Sequence, residues 1–442
     1  FKQKTAYEIP LRLVGSEMCI RDSCESAGAL LAGGDVVQTV AKGIINPGDN
    51  IEVQDFRGLM LSALLAAALW VNLATYLNAP VSTTHSIVGG VVGAGIAAAG
   101  FGLVNWITMS KIAASWVISP VFGGIVAATL LFFIQSKIVN VSDRKKAAQK
   151  WVPILIALMA SAFVAYMAMK GLKKIWQPSD TQVIFYSLTA FFLAWLFSKP
   201  FIKRRAEKLS NNKKQIYTLF NLPLVIGVSL LCFAHGANDV ANAVGPLAAI
   251  VSTFTSASIE SKVTLPFWIM FIGASGLALG LLLFGPKLIN TVGEKITKLN
   301  APRAYCVALA SAITVLIATT LGLPVSSTHI AIGAIFGVGF LREFLENPDK
   351  KRHRTGHKLN HSASESFKNV NLRLRRKLVR RKFVISIGAA WVITVPASAI
   401  LAAFLFFSFV FFCSLHQFLY SRVVLCSLSF FLPFSLSLFL SL

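Results

Sequence analysis

Charged residues are scarce in this chain. They make up 14% of its 442 residues, where a soluble globular protein carries about 25%. Acidic side chains are scarcer still, with 18 Asp and Glu against 42 Lys and Arg and a net charge of +24. On a soluble fold that excess would suggest a nucleic-acid surface, but its distribution excludes one. No Asp, Glu, Lys or Arg occurs in 58–110, 112–136, 304–341 or 383–421, and each stretch can cross a bilayer core of ~20 residues. The six cysteines include no Cys-x-x-Cys pair and no metal-ligand spacing. Four of them lie in apolar runs, where cysteine behaves as a small hydrophobe, so neither a disulfide framework nor a metal site is implied. What is left is an all-α polytopic membrane protein.

The few charges set its orientation, because basic loops mark the cytoplasmic side. Residues 137–150 and 199–214 are basic. The loop 342–382 is the most basic, through a run that includes Arg373, Arg375, Arg376, Lys377, Arg380, Arg381 and Lys382. By contrast, 46–57 carries Asp49, Glu52 and Asp55 against Arg57 alone and reads as external. Apolar spans are predicted at 58–80, 82–104 and 112–134, then as a hairpin at 151–169 and 181–198. Further spans at 216–250, 264–285, 304–323 and 326–341 lead to the large basic loop. His353, His357 and His361 in that loop look solvated.

The chain repeats itself. Residues 80–95 (PVSTTHSIVGGVVGAG) align with 324–339 (PVSSTHIAIGAIFGVG), identical at eight of sixteen positions. Farther on, WVISPV at 116–121 matches WVITVP at 391–396. The spans carrying the two copies are seven apart, and an odd separation makes them cross in opposite directions. Inverted repeats are characteristic of secondary transporters, which hold substrate near the bilayer midplane where the halves meet. The expected fold is therefore an inverted-repeat secondary transporter with re-entrant or broken helices.

Each copy places a proline before a hydroxyl cluster: Ser82, Thr83 and Thr84 in one, Ser326, Ser327 and Thr328 in the other. Such residues suit the first turn of a helix, and a helix N-terminus receives anions readily. The alternative is that they only cap a re-entrant helix. The glycines that follow (Gly89, Gly93, Gly95 and Gly333, Gly337, Gly339) suit close helix packing better than a phosphate loop. Asp239 stands alone between uncharged runs 215–238 and 240–259, and a carboxylate at the bilayer centre costs about 2.5–3.5 kcal/mol on insertion scales. A hard cation held by Asp239 and by the amide oxygens of Asn238 and Asn242 would offset that cost; a protonated or interhelically bonded carboxyl is the bland alternative. Gly236, Gly245 and Pro246 make an unwound backbone plausible here. His85, His235 and His329 are candidates for a proton relay, or for neutral hydrogen-bonding struts.

The sequence GANDVANA at 236–243, taken with both Pro-Val-Ser-x-Thr-His motifs, closely resembles the inorganic phosphate transporter (PiT) family over roughly residues 25–407. The resemblance implies a symporter that imports inorganic phosphate with a monovalent cation. It gives Asn238, Asp239 and Asn242 to the cation and Ser82, Thr83, Thr84, Ser326, Ser327 and Thr328 to phosphate. Oxygen ligation rich in asparagine favours Na+ over H+ as the co-transported ion, and no other cofactor or metal is implied. The implied setting is multi-pass in the plasma membrane (the inner membrane of a bacterium), in contact with lipid, without nucleic acid, and compatible with a homodimer.

Family members carry the Gly-Ala-Asn-Asp motif in each half, and the residues ahead of Ala27 here contain no Asn-Asp. The expected organisation is a non-native leader at 1–23 and a truncated first repeat at 24–136. A linker with a transmembrane hairpin follows at 137–214, then a second repeat at 215–412 with its cytoplasmic loop 342–382. The apolar tail 413–442 is atypical and has no counterpart in the repeat. Two alternatives stay on the same scaffold: a sulfate permease and an inactive fragment of a phosphate transporter. An intramembrane Ser/His/Asp hydrolase is disfavoured, because Thr328 and His329 are adjacent and adjacent helical residues do not face each other.

Overall fold

The computed structural model describes residues 22–46, 51–77, 81–171, 178–256, 258–259, 263, 265–295, 300–346, 388–389 and 392–412. The expected leader (apart from residues 22 and 23), most of the basic loop 342–382 and the tail 413–442 lie outside them. The described residues are helical apart from connecting segments and one antiparallel bridge between Ile45 and Val104. Eight of their helices are long and apolar enough to cross a membrane.

Helix α1 covers 22–32, and α2 (Gly34–Gln38) runs into a widened π-type turn at Thr39–Gly43. Helices α3 (Val53–Tyr76) and α4 (Thr83–Ala99) form a hairpin, followed by α5 (Trp106–Ile134). The linker hairpin is α6 (Arg144–Tyr166) and α7 (Asp180–Glu207), and the short α8 (Lys213–Tyr217) leads out of it. The second half has α9 (Asn221–Asp239), α10 (Ala241–Ser256) and α11 (Phe267–Lys295). A second hairpin, α12 (Ala301–Thr320) and α13 (Ser327–Glu346), precedes α14 (Val392–Phe412).

Helix starts follow local sequence. The Asn105, Asp143 and Asn300 side chains accept the backbone N–H groups of Thr108, Lys146 and Arg303, capping α5, α6 and α12. Ser179 and Gln182 form a reciprocal capping box on α7. The linker hairpin packs mostly on itself and turns Phe185, Leu188, Phe192, Leu196 and Phe197 outward, as a lipid-facing helix does. It is tied to the rest by buried α6 residues such as Leu155 and Met159 and by an ion pair from Lys170 Nζ to Asp35 Oδ2, 2.5 Å.

The repeat is visible as a pair of equivalent crossings. Gly333 and Gly337 of α13 pack on the backbone of Pro120 and Gly124 of α5. Gly89 and Gly93 of α4 pack in the same way on Val395 and Ala399 of α14. These four pairs are related by the two alignments found in the sequence, 80–95 with 324–339 and 116–121 with 391–396. Residue numbers rise together across each crossing, so each pair of helices runs parallel. The glycines therefore serve close packing, as expected: a Cβ on any of the four would overlap backbone or side-chain atoms of the partner.

Two apolar cores result. One joins α5, α6, α9, α12 and α13; the other joins α2, α3, α4, α10, α11 and α14. Ala237 belongs to the first and Val240 to the second, so Asn238 and Asp239 lie on their boundary.

The expected span 216–250 is broken into α9 and α10, but only at Val240. Gly236, Gly245 and Pro246, expected to unwind the backbone, are helical. The glycines are used for contact instead: Gly236 abuts the Glu25 backbone of α1, and Gly245 abuts Val40. Backbone freedom is needed elsewhere, at the turn of the second hairpin, where Gly322 has φ +66°. Gly322→Ala is expected to cost about 1–2 kcal/mol, read as a lower melting temperature in detergent. Gly276→Ala, on an open helical face of α11, is expected to raise stability by up to about 1 kcal/mol and serves as its control.

Candidate functional site

Helix α4 begins behind Ser82, whose Oγ accepts the N–H of His85 at 3.2 Å. Helix α13 begins behind the equivalent residue Ser326, whose Oγ accepts the N–H of His329 at 3.4 Å. Each cap satisfies one N–H of its first turn. The N–H groups of Thr83 and Thr84, and of Ser327 and Thr328, have no intrahelical acceptor. Two positive helix ends are thus built from the same motif.

The two ends meet. Thr84 Oγ1 donates to the Val325 carbonyl at 3.1 Å, crossing from one hairpin tip to the other. The rings of His85 and His329 lie 4.6 Å apart. The Trp116 ring lies 3.7 Å from that of His85, tilted by 40°, and its indole N–H donates to the Pro324 carbonyl at 3.0 Å. Ser82, Thr84, His85, Ser326, Ser327 and His329 are buried, whereas Thr83 and Thr328 stand at the accessible surface. All six predicted hydroxyl residues therefore fall at one junction between the repeats.

The Asn-Asp motif reaches the same junction from the end of α9. Asn238 is the brace of the second tip: its amide donates to Thr319 Oγ1 (3.1 Å) and the Leu323 carbonyl (3.2 Å), and its oxygen accepts the Val325 N–H (3.2 Å). Asn242 donates to both Thr83 Oγ1 and Thr84 Oγ1, each at 3.2 Å. Asp239 Oδ2 receives His235 Nε2 at 3.1 Å and the Thr83 hydroxyl at 3.5 Å. Asp239 Oδ1 and Asn242 Oδ1 are buried and have no hydrogen-bond partner among the described residues.

That pair of orphan oxygens bears on cation chemistry. A buried carboxylate oxygen without a donor is costly, and two such acceptors three residues apart on neighbouring helical turns suit a hard cation that takes oxygen ligands. Two of the six hydroxyls that would face an anion are already bonded to residues that would face the cation. Thr83 and Thr84 thus belong to both groups.

Of the histidines, His85 and His329 sit between the tips, and His235 lies on the other side of Asp239. His235 Nδ1 contacts Glu25 Oε1, so the imidazole bridges two carboxylates. Glu25 and Thr319 were not anticipated. Glu25 is buried in α1 at 2% exposure. With Arg21 and Asp22 close by in sequence, it lacks the isolation that marked Asp239. Thr319 carries no signal either, since a threonine in a helix interior usually bonds its own backbone.

Comparison with known proteins points one way. The family model described as "Phosphate transporter family" matches residues 17–402. A Helicobacter pylori protein named "Putative phosphate permease" is 42% identical over 440 residues, covering 89% of this chain and 83% of its own length. One of the same description from Thermococcus kodakarensis is 35% identical over 384 residues, covering 86% of each chain. A solved structure titled "The sodium-dependent phosphate transporter" superposes with a TM-score of 0.77 at 30% identity, covering 89% of both chains.

Proposed function

The chain belongs to the phosphate transporter family, and from that premise we propose that it imports inorganic phosphate by symport with Na+, across the plasma membrane or a bacterial inner membrane. Phosphate is held between the two helix ends by Ser82, Thr83, Thr84, Ser326, Ser327 and Thr328. The cation is held by Asp239, Asn242 and Asn238, with the orphan oxygens of the first two as primary ligands. The observation that carries this reading is the meeting of duplicated, hydroxyl-bearing helix N-termini beside two unpartnered buried oxygens.

The hydrogen bonds supply a coupling route. A cation drawn to Asp239 competes with the bond that the Thr83 hydroxyl donates to it and releases that hydroxyl toward an anion, while the Thr84 hydroxyl stays on the Val325 carbonyl. An anion binding first pulls Thr83 the other way. Alternating access then consists of the two repeats rearranging around their junction. Two Na+ moving down tenfold gradients supply about 1.4 kcal/mol each, and one net charge adds about 2.3 kcal/mol per 100 mV. Together they sustain a phosphate gradient of several thousand-fold.

Competition tests the substrate. Phosphate retains a proton at neutral pH and sulfate does not, so excess sulfate is expected to leave labelled phosphate uptake nearly unchanged; equal inhibition by the two anions would favour a sulfate permease. Thr84→Val removes the inter-tip bond and leaves the Val325 carbonyl short of a donor, a loss of about 1–3 kcal/mol. Initial uptake is expected to fall about tenfold. Glu25→Ala strips His235 of one carboxylate and frees it to rotate away from Asp239. The expected result is about a tenfold rise in the Na+ concentration that half-activates uptake, with little change in phosphate half-saturation.

A further inference from the structure

The turn between α12 and α13 carries four consecutive carbonyls outside both helices, those of Gly322, Leu323, Pro324 and Val325. Irregular backbone inside a membrane protein needs hydrogen-bond partners from its surroundings. Here each carbonyl is taken by a side chain from a different helical segment. Thr39 Oγ1, at the π-type turn after α2, donates to Gly322 at 2.7 Å. The Asn238 amide at the end of α9 donates to Leu323 at 3.2 Å. The Trp116 indole of α5 donates to Pro324 at 3.0 Å, and Thr84 Oγ1 of α4 donates to Val325 at 3.1 Å.

Three of these four grips join distant parts of the chain. Thr39, Thr84 and Trp116 come from the half before the linker hairpin, and the turn comes from the half after it. Motion of one half against the other must therefore break them. Thr39 is used against its local preference. A threonine in a helix usually bonds the carbonyl of the preceding turn, but its hydroxyl lies 3.4 Å from the Asp35 carbonyl and only 2.7 Å from that of Gly322. The gripped residues lead directly into Ser326, Ser327 and Thr328, so the position of the turn sets theirs. Its outer side is open, with Leu321 68% exposed.

We propose that this turn is a gate over the phosphate site, and that Thr39 and Trp116 are positioning residues that hold it shut. Neither is among the residues assigned to phosphate or to the cation. When the grips release, the turn lifts and carries Ser326, Ser327 and Thr328 with it. Each grip is one neutral hydrogen bond, worth a factor of about five in the balance between shut and lifted. Four together make a firm latch whose members can still break singly. What the gate guards rests on the phosphate reading above; that these two side chains hold the turn does not.

Hydrogen exchange of the purified full chain, followed by mass spectrometry, reads the latch. The Val325 N–H is bonded to Asn238 Oδ1 and exchanges when the turn lifts. Thr39→Val and Trp116→Phe each remove one donor and keep most of the side chain's bulk. Each is expected to speed exchange of the peptide carrying Val325 about fivefold, and the double variant about 25-fold, with exchange in α7 unchanged. In proteoliposomes each single variant is expected to raise the maximal rate of phosphate uptake about threefold at unchanged half-saturation, as a step after binding requires. A raised half-saturation at an unchanged maximal rate would place the two residues in the phosphate site and overturn the gate. Faster exchange without faster uptake would make them a passive brace, which also overturns it. Unchanged exchange in a monodisperse variant does the same, and if one variant does not fold the other decides. A native chain that takes up no phosphate contradicts the function proposed above, and the exchange result alone then decides whether the turn is latched.

Discussion

Asp239→Asn is expected to lower sodium-stimulated phosphate uptake about 100-fold or more while leaving the folded protein intact. The substitution keeps the side chain's size and its contact with the Thr83 hydroxyl, but removes the charge that a cation would neutralise. The residue lies on the boundary of the two apolar cores, at 10% side-chain exposure. In such a place the electrostatic term for one carboxylate is on the order of 2.5–3.5 kcal/mol, and 1.4 kcal/mol is a factor of ten. The neutral amide also removes the uncompensated charge from that buried position, so thermal stability without sodium is expected to stay level or rise. Loss of uptake together with loss of folding would assign Asp239 to structure. Loss of uptake with a rise in stability assigns it to the cation.

Gly337→Val and Gly93→Val are expected to be nearly as severe, and by the same amount. Each places two extra carbons where a Cβ alone already overlaps the facing backbone, Gly124 in one crossing and Ala399 in the other. Backbone cannot turn aside as a flexible side chain can. The helices must separate, at a cost of about 3 kcal/mol or more, the upper end for overpacked cores. The yield of monodisperse protein and its melting temperature should both collapse. Matched losses at the two positions are what an inverted repeat requires. A severe effect at Gly337 beside a mild one at Gly93 would mean that the two crossings are not equivalent.

Much of this was legible in the sequence, for reasons that can be named. The duplicated Pro-Val-Ser-x-Thr-His motif announced two equivalent helix starts, because capping chemistry is local and survives in a linear string. The glycines at positions 89, 93, 333 and 337 announced close crossings, because nothing but a missing side chain permits them. Asp239 stood out because a charge without neighbours in sequence is rare in an apolar run. The family resemblance drawn from these residues agrees with the match over residues 17–402.

Other features depend on contacts between distant segments. Asn238 looks like Asn242 in sequence, yet its oxygen is engaged by the Val325 N–H while that of Asn242 has no partner. Only the position of the second tip distinguishes them. Glu25 meets His235 across 210 residues, a pairing that no local pattern encodes. The single-residue break at Val240 was harder still. Gly236 and Gly245 suggested an unwound segment, but α1 and Val40 pack against them and hold the helix closed. Glycine permits both outcomes, and tertiary contact decides.

The central claim is that a sodium gradient drives phosphate through this chain. Its most direct test is labelled phosphate uptake into proteoliposomes containing the full chain, with an inward Na+ gradient and with that gradient replaced by choline. Accumulation above the external phosphate level that collapses when a sodium ionophore is added is the predicted result. Uptake that proceeds equally in choline would contradict it and remove the cation role assigned to Asp239 and Asn242.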